Sequence, residues 1–171
     1  MTKTARFRFL QCGDLHVGRG RSPGGWGQAE SLKRASLMFD RIFAVAKAEK
    51  CHAVLITGDV FDVKAVSNKE RELVASKLAT HAGRGGIPTY IISGNHDMTS
   101  SAASNLDYLG VISRAGEIQN LHVTLGSTPE VWVAAEGLRI LGAPAEASEH
   151  QERVEALVKD LGSEAQYIFM G

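Results

Sequence analysis

The stretch "ISGNHDMTS", Ile92 to Ser100, follows directly on the apolar run "IPTYI". Packing a core does not call for Gly94, Asn95, His96 and Asp97, in that order, at the end of a buried strand. The same arrangement occurs twice upstream. "RFRFLQC" (6–12) runs into "GDLHVG", with Asp14 and His16, and "AVLIT" (53–57) runs into "GDVFD", with Asp59 and Asp62.

Helical patterns separate these strands. From about Glu30 to Glu49, Leu32, Ala35, Phe39, Ile42, Phe43 and Ala46 fall on one stripe. "SNKE" (67–70) pairs Ser67 with Glu70 in capping-box spacing and opens a helix that runs to about His81 and stops at "GRGG". The order β-α-β-α-β with short right-handed crossovers predicts a parallel sheet with covered faces. Its carboxyl ends then share one edge, where α/β proteins bind ligands, so the three polar clusters converge.

The second half reads differently. "LHVTL", "EVWVAA" and "LRILGA" are short strands separated by turn residues, and they predict an antiparallel meander. A helix around 147–161 and a last strand, "QYIFMG", follow. There is no internal repeat and no linker. The expectation is an α/β fold forming a single domain over 1–171, incomplete at its C-terminal end.

Composition narrows the function classes. The 171 residues are 44% hydrophobic and 22% charged, ordinary for a globular α/β protein. No segment approaches the roughly 18 apolar residues of a membrane helix, and the N-terminus lacks the pattern of a signal peptide. No membrane partner is expected, and a cytoplasmic location is the default. With 19 Lys+Arg against 19 Asp+Glu, whole-chain attraction to nucleic acid is not indicated, although a local patch is compatible with the balance. Cys12 and Cys51 are too few for a disulfide framework and adjoin apolar runs, where a free thiol acts as a small hydrophobe.

Asp, His and Asn offer oxygen and nitrogen donors that suit a hard or borderline divalent ion. Without thiolate, such a site favours Mn, Fe, Mg or Zn over Cu(I) or an iron–sulfur cluster. Carboxylates crowded without a cation would repel one another, a cost that metal binding removes. Taken singly, Asp14, Asp59 and Asn95 are also what a turn after a strand uses. Their combination, in order at successive strand ends, favours metal chemistry.

At these residues the chain resembles the calcineurin-like, binuclear metallophosphoesterases. Their motifs D-x-H, G-D-x-x-D and G-N-H-[DE] are met by Asp14-Leu15-His16, Gly58-Asp59-Val60-Phe61-Asp62 and Gly94-Asn95-His96-Asp97. The resemblance implies an α/β/β/α sandwich and two divalent metal ions that clamp a phosphate and acidify the attacking water. By the same resemblance Asp14 and His16 hold the first ion, Asp59 bridges both and Asn95 binds the second. Asp62 stands behind them or on the substrate side. His96 would stabilise the transition state or protonate the leaving oxygen, with Asp97 fixing its ring.

Within that superfamily "RFLQCGDLHVGR", "FDRIFAVAKAEKCHAVLITGDVFD", "VSNKE" and "GIPTYIISGNHD" look most like the nuclease subunits of double-strand-break repair complexes, the bacterial SbcD type and its relatives. That likeness spans about the first hundred residues and is faint beyond Asp107. It implies a Mn²⁺-dependent DNA exonuclease or endonuclease working beside an SMC-like ATPase. A homodimer contact through the helix bearing Phe39, Ile42 and Phe43 is a further implication. In "GRGRSPGGWG" (18–27), Arg19, Arg21 and Trp26 are candidates for DNA contact, phosphate to the arginines and a base to the indole.

One departure qualifies the match. The family also uses a histidine after a later strand and a final G-H-x-H. His52, His81, His122 and His150 do not fit those places and read as surface or satisfied core residues. The expectation is a truncated chain carrying about half the metal shell, with weak or single-ion occupancy and little activity alone. Competing readings are a phosphatase or nucleotide phosphodiesterase of the same superfamily and, from another class, a scaffold that keeps the fold without catalysis.

Overall fold

Ala53, Val54, Leu55 and Ile56 are all buried, and they face alternate sides of one strand. Val54 and Ile56 join a core with Phe39, Phe43, Val74, Leu78, Leu106 and Leu109, contributed by helices. Ala53 and Leu55 join a second core with Tyr90, Ile92 and Ile140 on the opposite face. A strand apolar on both faces belongs in the middle of a layered structure.

The computed structural model describes residues 7–20, 24–25, 27–62, 65–83, 85–98, 104–125, 130–135, 138–143 and 166–170, with scattered positions between 152 and 159. The elements run β1 (Phe9–Cys12), α1 (Gly27–Ala48), β2 (Ala53–Thr57), α2 (Asn68–Ala82), β3 (Thr89–Ile92), a 3₁₀ turn (Asn95–Asp97), α3 (Asp107–Arg114), β4 (Leu121–Thr124), β5 (Glu130–Ala135), β6 (Leu138–Gly142) and β7 (Gln166–Met170). The first sheet has four strands in the order β1-β2-β3-β4, all parallel. Sequential order with right-handed crossovers puts the helices on one face. The other face meets the second sheet, in which β5 and β6 are antiparallel and β7 runs parallel to β6.

The fold class is therefore the expected one, with a shifted boundary. "LHVTL" does not start an antiparallel meander; as β4 it extends the parallel sheet, with Thr89 paired to Leu121 and Ile92 to Thr124. The cause is α3, an eight-residue helix that supplies one more crossover and buries Leu109. The antiparallel part reduces to the β5–β6 hairpin. Most of the 147–161 stretch, and with it any outer helix layer on the second sheet, lies outside the described residues.

Local signals behave as the sequence predicts. Ser67 accepts from the Glu70 N–H, and the Glu70 carboxylate accepts from the Ser67 N–H at 2.7 Å, closing the capping box of α2. Phe39 and Phe43 are each 1% exposed, so the two phenylalanines expected at a dimer contact serve the chain's own core. Burial of each is worth about 1.5–3 kcal/mol. His81 lies flat on Phe43 and bonds Asp40, His52 stacks on Phe7, and His122 stacks on Tyr90. All three pack as structural histidines away from the strand-end motifs; His150 lies outside the described residues. Burial pushes the Cys12 thiol up to about 11, which leaves it inert. No helix among the described residues is long and apolar enough to cross a membrane.

Candidate metal centre

The loops after β1 and β2 are laced together by main-chain hydrogen bonds. Asp14 N–H donates to Gly58 O, His16 N–H to Asp59 O at 3.0 Å and Val17 N–H to Val60 O at 2.8 Å, while Asp62 N–H returns to Val17 O. Val17 and Phe61 form an isolated parallel bridge. This lacing continues the β1–β2 pairing past the sheet edge and brings the first two motifs side by side.

Three of the residues involved have unusual backbones. Asp14, His16 and Asp59 have φ of 53°, 46° and 51°, in the left-handed region that non-glycine residues seldom enter. Strain of this kind persists where the surroundings hold it, and it clusters at functional sites. Gly58, with φ 88°, fits against the next loop: a Cβ there would lie 2.7 Å from Gly94 Cα. On Gly94 a Cβ would collide with the Asp59 carboxylate and main-chain N. The two glycines thus allow the second and third loops to touch.

The side chains converge. His16 Nε2 lies 3.5 Å from Asp14 Oδ1, and His16 Nδ1 lies 3.3 Å from Asp62 Oδ1. The His96 ring stands edge-on to that of His16, centroids 5.2 Å apart. Asp59 Oδ1 accepts from the His96 N–H at 2.9 Å. Ligand atoms of Asp14, His16 and Asp59, and separately those of His16, Asp62 and His96, lie within 4.8 Å of one another. Asn95 opens the 3₁₀ turn between Gly94 and His96 and is exposed.

A divalent cation suits this donor set. His16 Nδ1 is buried without a hydrogen-bond partner; Asp62 is near enough for an ion pair but outside hydrogen-bonding geometry. The imidazole and the three carboxylates around it offer nitrogen and oxygen lone pairs that a divalent cation would accept. Asp62 lies closer to the centre than its second-rank place in the sequence reading suggests.

Asp97 acts differently from expectation. It is fully buried, and its carboxylate accepts from the N–H groups of Gly94 (2.9 Å), Phe61 (3.0 Å) and Val60 (3.3 Å), in place of the His96 ring. Neighbours in a 3₁₀ turn point roughly 120° apart, so the carboxylate cannot swing onto the preceding imidazole. Burial raises its carboxyl above the usual range, the three N–H donors oppose that shift, and the nearby Asp59 charge adds to it. Asp97 is a pin between the second and third loops.

A groove of about 260 Å³ opens beside Asp14 and His16, lined also by Arg19 and by Ser31, Arg34, Ala35 and Met38 of α1. Arg19, a predicted contact residue, is thus at the site; Arg21 and Trp26 lie outside the described residues. Sequence reasoning missed Arg34 and Ser31. The signal was present in the helical spacing of 31, 34, 35 and 38, which puts these residues on one stripe.

Comparison with known proteins places this arrangement. A 128-residue stretch, 72% of the chain, is 27% identical to the SbcD component of the SbcCD nuclease from Bacillus subtilis (strain 168), and covers 32% of that protein. The chain thus matches about a third of that relative's length. The family model described as "Calcineurin-like phosphoesterase" matches residues 7–169, taking in every strand-end motif described above. The chain therefore belongs to the calcineurin-like phosphoesterases, a family of hydrolases that use divalent metal ions.

Proposed function

We propose that the chain carries the metal-binding motifs of a phosphodiesterase that acts on DNA, as an exonuclease or endonuclease of the double-strand-break repair type. The observation that carries this reading is the convergence of Asp14, His16, Asp59, Asp62 and His96 at the ends of adjacent parallel strands. The relative's description as part of a nuclease supports DNA as substrate and a second protein as partner, expected to be an SMC-like ATPase.

In this reading Asp14 and His16 would hold one divalent ion, Asp59 would serve both and Asn95 would hold the other, with Asp62 completing the cluster around His16. Mn²⁺ is the expected ion. Such ions would supply Lewis acidity toward the phosphoryl oxygens and the attacking water. His96, exposed beside the cluster, would hand a proton to the leaving oxygen, a role worth about 10²–10⁴ in rate. Asp97 holds the His96 loop against the Asp59 loop. Arg19 meets the phosphate chain at the groove.

The test, run on the protein expressed from the complete gene, is Mn²⁺-dependent release of nucleotides from linear duplex DNA beside hydrolysis of bis-p-nitrophenyl phosphate. Release that vanishes in Asp59→Asn and His96→Ala supports the proposal. Cleavage of the small ester without DNA release would move the substrate to a nucleotide, and absence of Mn²⁺ binding would leave a scaffold.

A further inference from the structure

The groove beside the metal centre does not end at Arg19. Arg34 and Met38 line it and also line a second, apolar hollow of about 450 Å³ with Leu10, Leu37, Arg41, Ile42 and Val45. A chain leaving the carboxylates along this groove runs beside Arg19 and Arg34, and Arg34 and Met38 lead on to the largely apolar hollow. The main chain of Arg19 is set in place: its N–H donates to His16 O at 3.1 Å, and its carbonyl accepts from the Oγ of buried Ser31 at 3.0 Å. Arg34 is braced by Glu30, one turn earlier on α1, at 2.9 Å. Leu15 and Ala35, both buried, are apolar parts of the lining between them.

We propose that this groove is a phosphate-binding arm: Arg19 and Arg34 hold the phosphate next to the one undergoing hydrolysis, and the strand continues over Met38 into the apolar hollow. The inference rests on the phosphodiesterase reading of the metal centre and makes it narrower. A phosphomonoester has nothing to place there; a polynucleotide strand has a phosphate, then a sugar and base for the apolar wall. Guanidinium suits this task because its planar fork pairs with two phosphate oxygens at once. The charge pattern agrees, with the Asp14 carboxylate and the guanidinium-bearing Arg19 and Arg34 lining one groove.

The probe is a short fluorescein-labelled oligothymidylate with phosphorothioate linkages, titrated with the full chain in Mn²⁺ and followed by anisotropy over a range of salt. Arg34→Gln and Arg19→Gln are each expected to weaken binding about tenfold, the scale of one charge-assisted hydrogen-bonded contact. Each should also lower the salt slope by about 0.7. Arg34→Lys should keep the slope while losing affinity, and Arg139→Gln, on β6, should match the wild type in both. Arg34 is half exposed, so its variants fold, and a thermal melt checks this.

If the wild type binds the oligonucleotide and both glutamine variants bind equally well, the arm is wrong and the nuclease reading stands. If the wild type binds Mn²⁺ and cleaves bis-p-nitrophenyl phosphate but shows no saturable oligonucleotide binding, the nucleic-acid reading falls and the arm falls with it.

Discussion

The Asp97 carboxylate accepts a hydrogen bond from the main-chain N–H of Phe61 at 3.0 Å, across 36 residues of sequence. With Val60 and Gly94 as further donors, one buried side chain ties the loop carrying Asp59 to the loop carrying Asn95 and His96. Removing it in Asp97→Ala leaves buried N–H groups without partners, and we expect a loss of about 2–3 kcal/mol. Urea unfolding measures this. A loss under about 0.5 kcal/mol, the range of an ordinary surface change, would show that the pin is dispensable.

Gly94 tests the same junction sterically. A methyl group there would meet the Asp59 carboxylate and main-chain N, neither of which can retreat without opening the loop. Gly94→Ala should therefore weaken Mn²⁺ binding even though it removes no donor atom. Comparison of calorimetric titrations of the variant and the wild type is decisive, and equal affinities would mean that the loop has slack.

These features also mark what the sequence could and could not tell. The strand-end motifs, the capping box at Ser67 and Glu70 and the parallel sheet were legible because each is local: a periodicity, a spacing or a turn residue. The α3 helix was not, since it is eight residues long, includes Gly110 and starts at Leu106 without a side-chain cap. Missing it put "LHVTL" in the wrong sheet, because a strand's sheet is decided by its crossover and not by its own residues. The work of Asp97 was hidden for another reason. Adjacency to His96 suggested a partner in sequence, whereas its donors come from residues 36 and 37 positions away and from Gly94.

Asp40 provides a pH-dependent prediction away from the site. Lys77 Nζ at 2.6 Å and His81 Nε2 at 3.0 Å, both on α2, hold this α1 carboxyl below its ordinary range. A carboxyl whose folded pKa is depressed stabilises the fold above its unfolded value, near about pH 4. That contribution is lost as pH falls through the lower, folded value. The Asp40 side chain is half exposed and its pairs are screened, so Asp40→Asn should melt only slightly below the wild type at neutral pH, with the gap closing in acid. A gap that stayed constant down to about pH 2, below the ordinary carboxylate range, would show that charge is not the cause.

The central claim is that the strand ends form a cation site, and a Mn²⁺ titration of the wild type against Asp59→Asn tests it most directly. Asn tolerates the left-handed backbone of residue 59 and relieves carboxylate repulsion, so without metal the variant should melt at or above the wild-type temperature. With Mn²⁺ at a hundred times its Kd, the wild type should gain roughly 5–10 °C and show a saturable calorimetric heat, and the variant should show neither. Equal heats and equal thermal shifts in the two proteins would contradict the account.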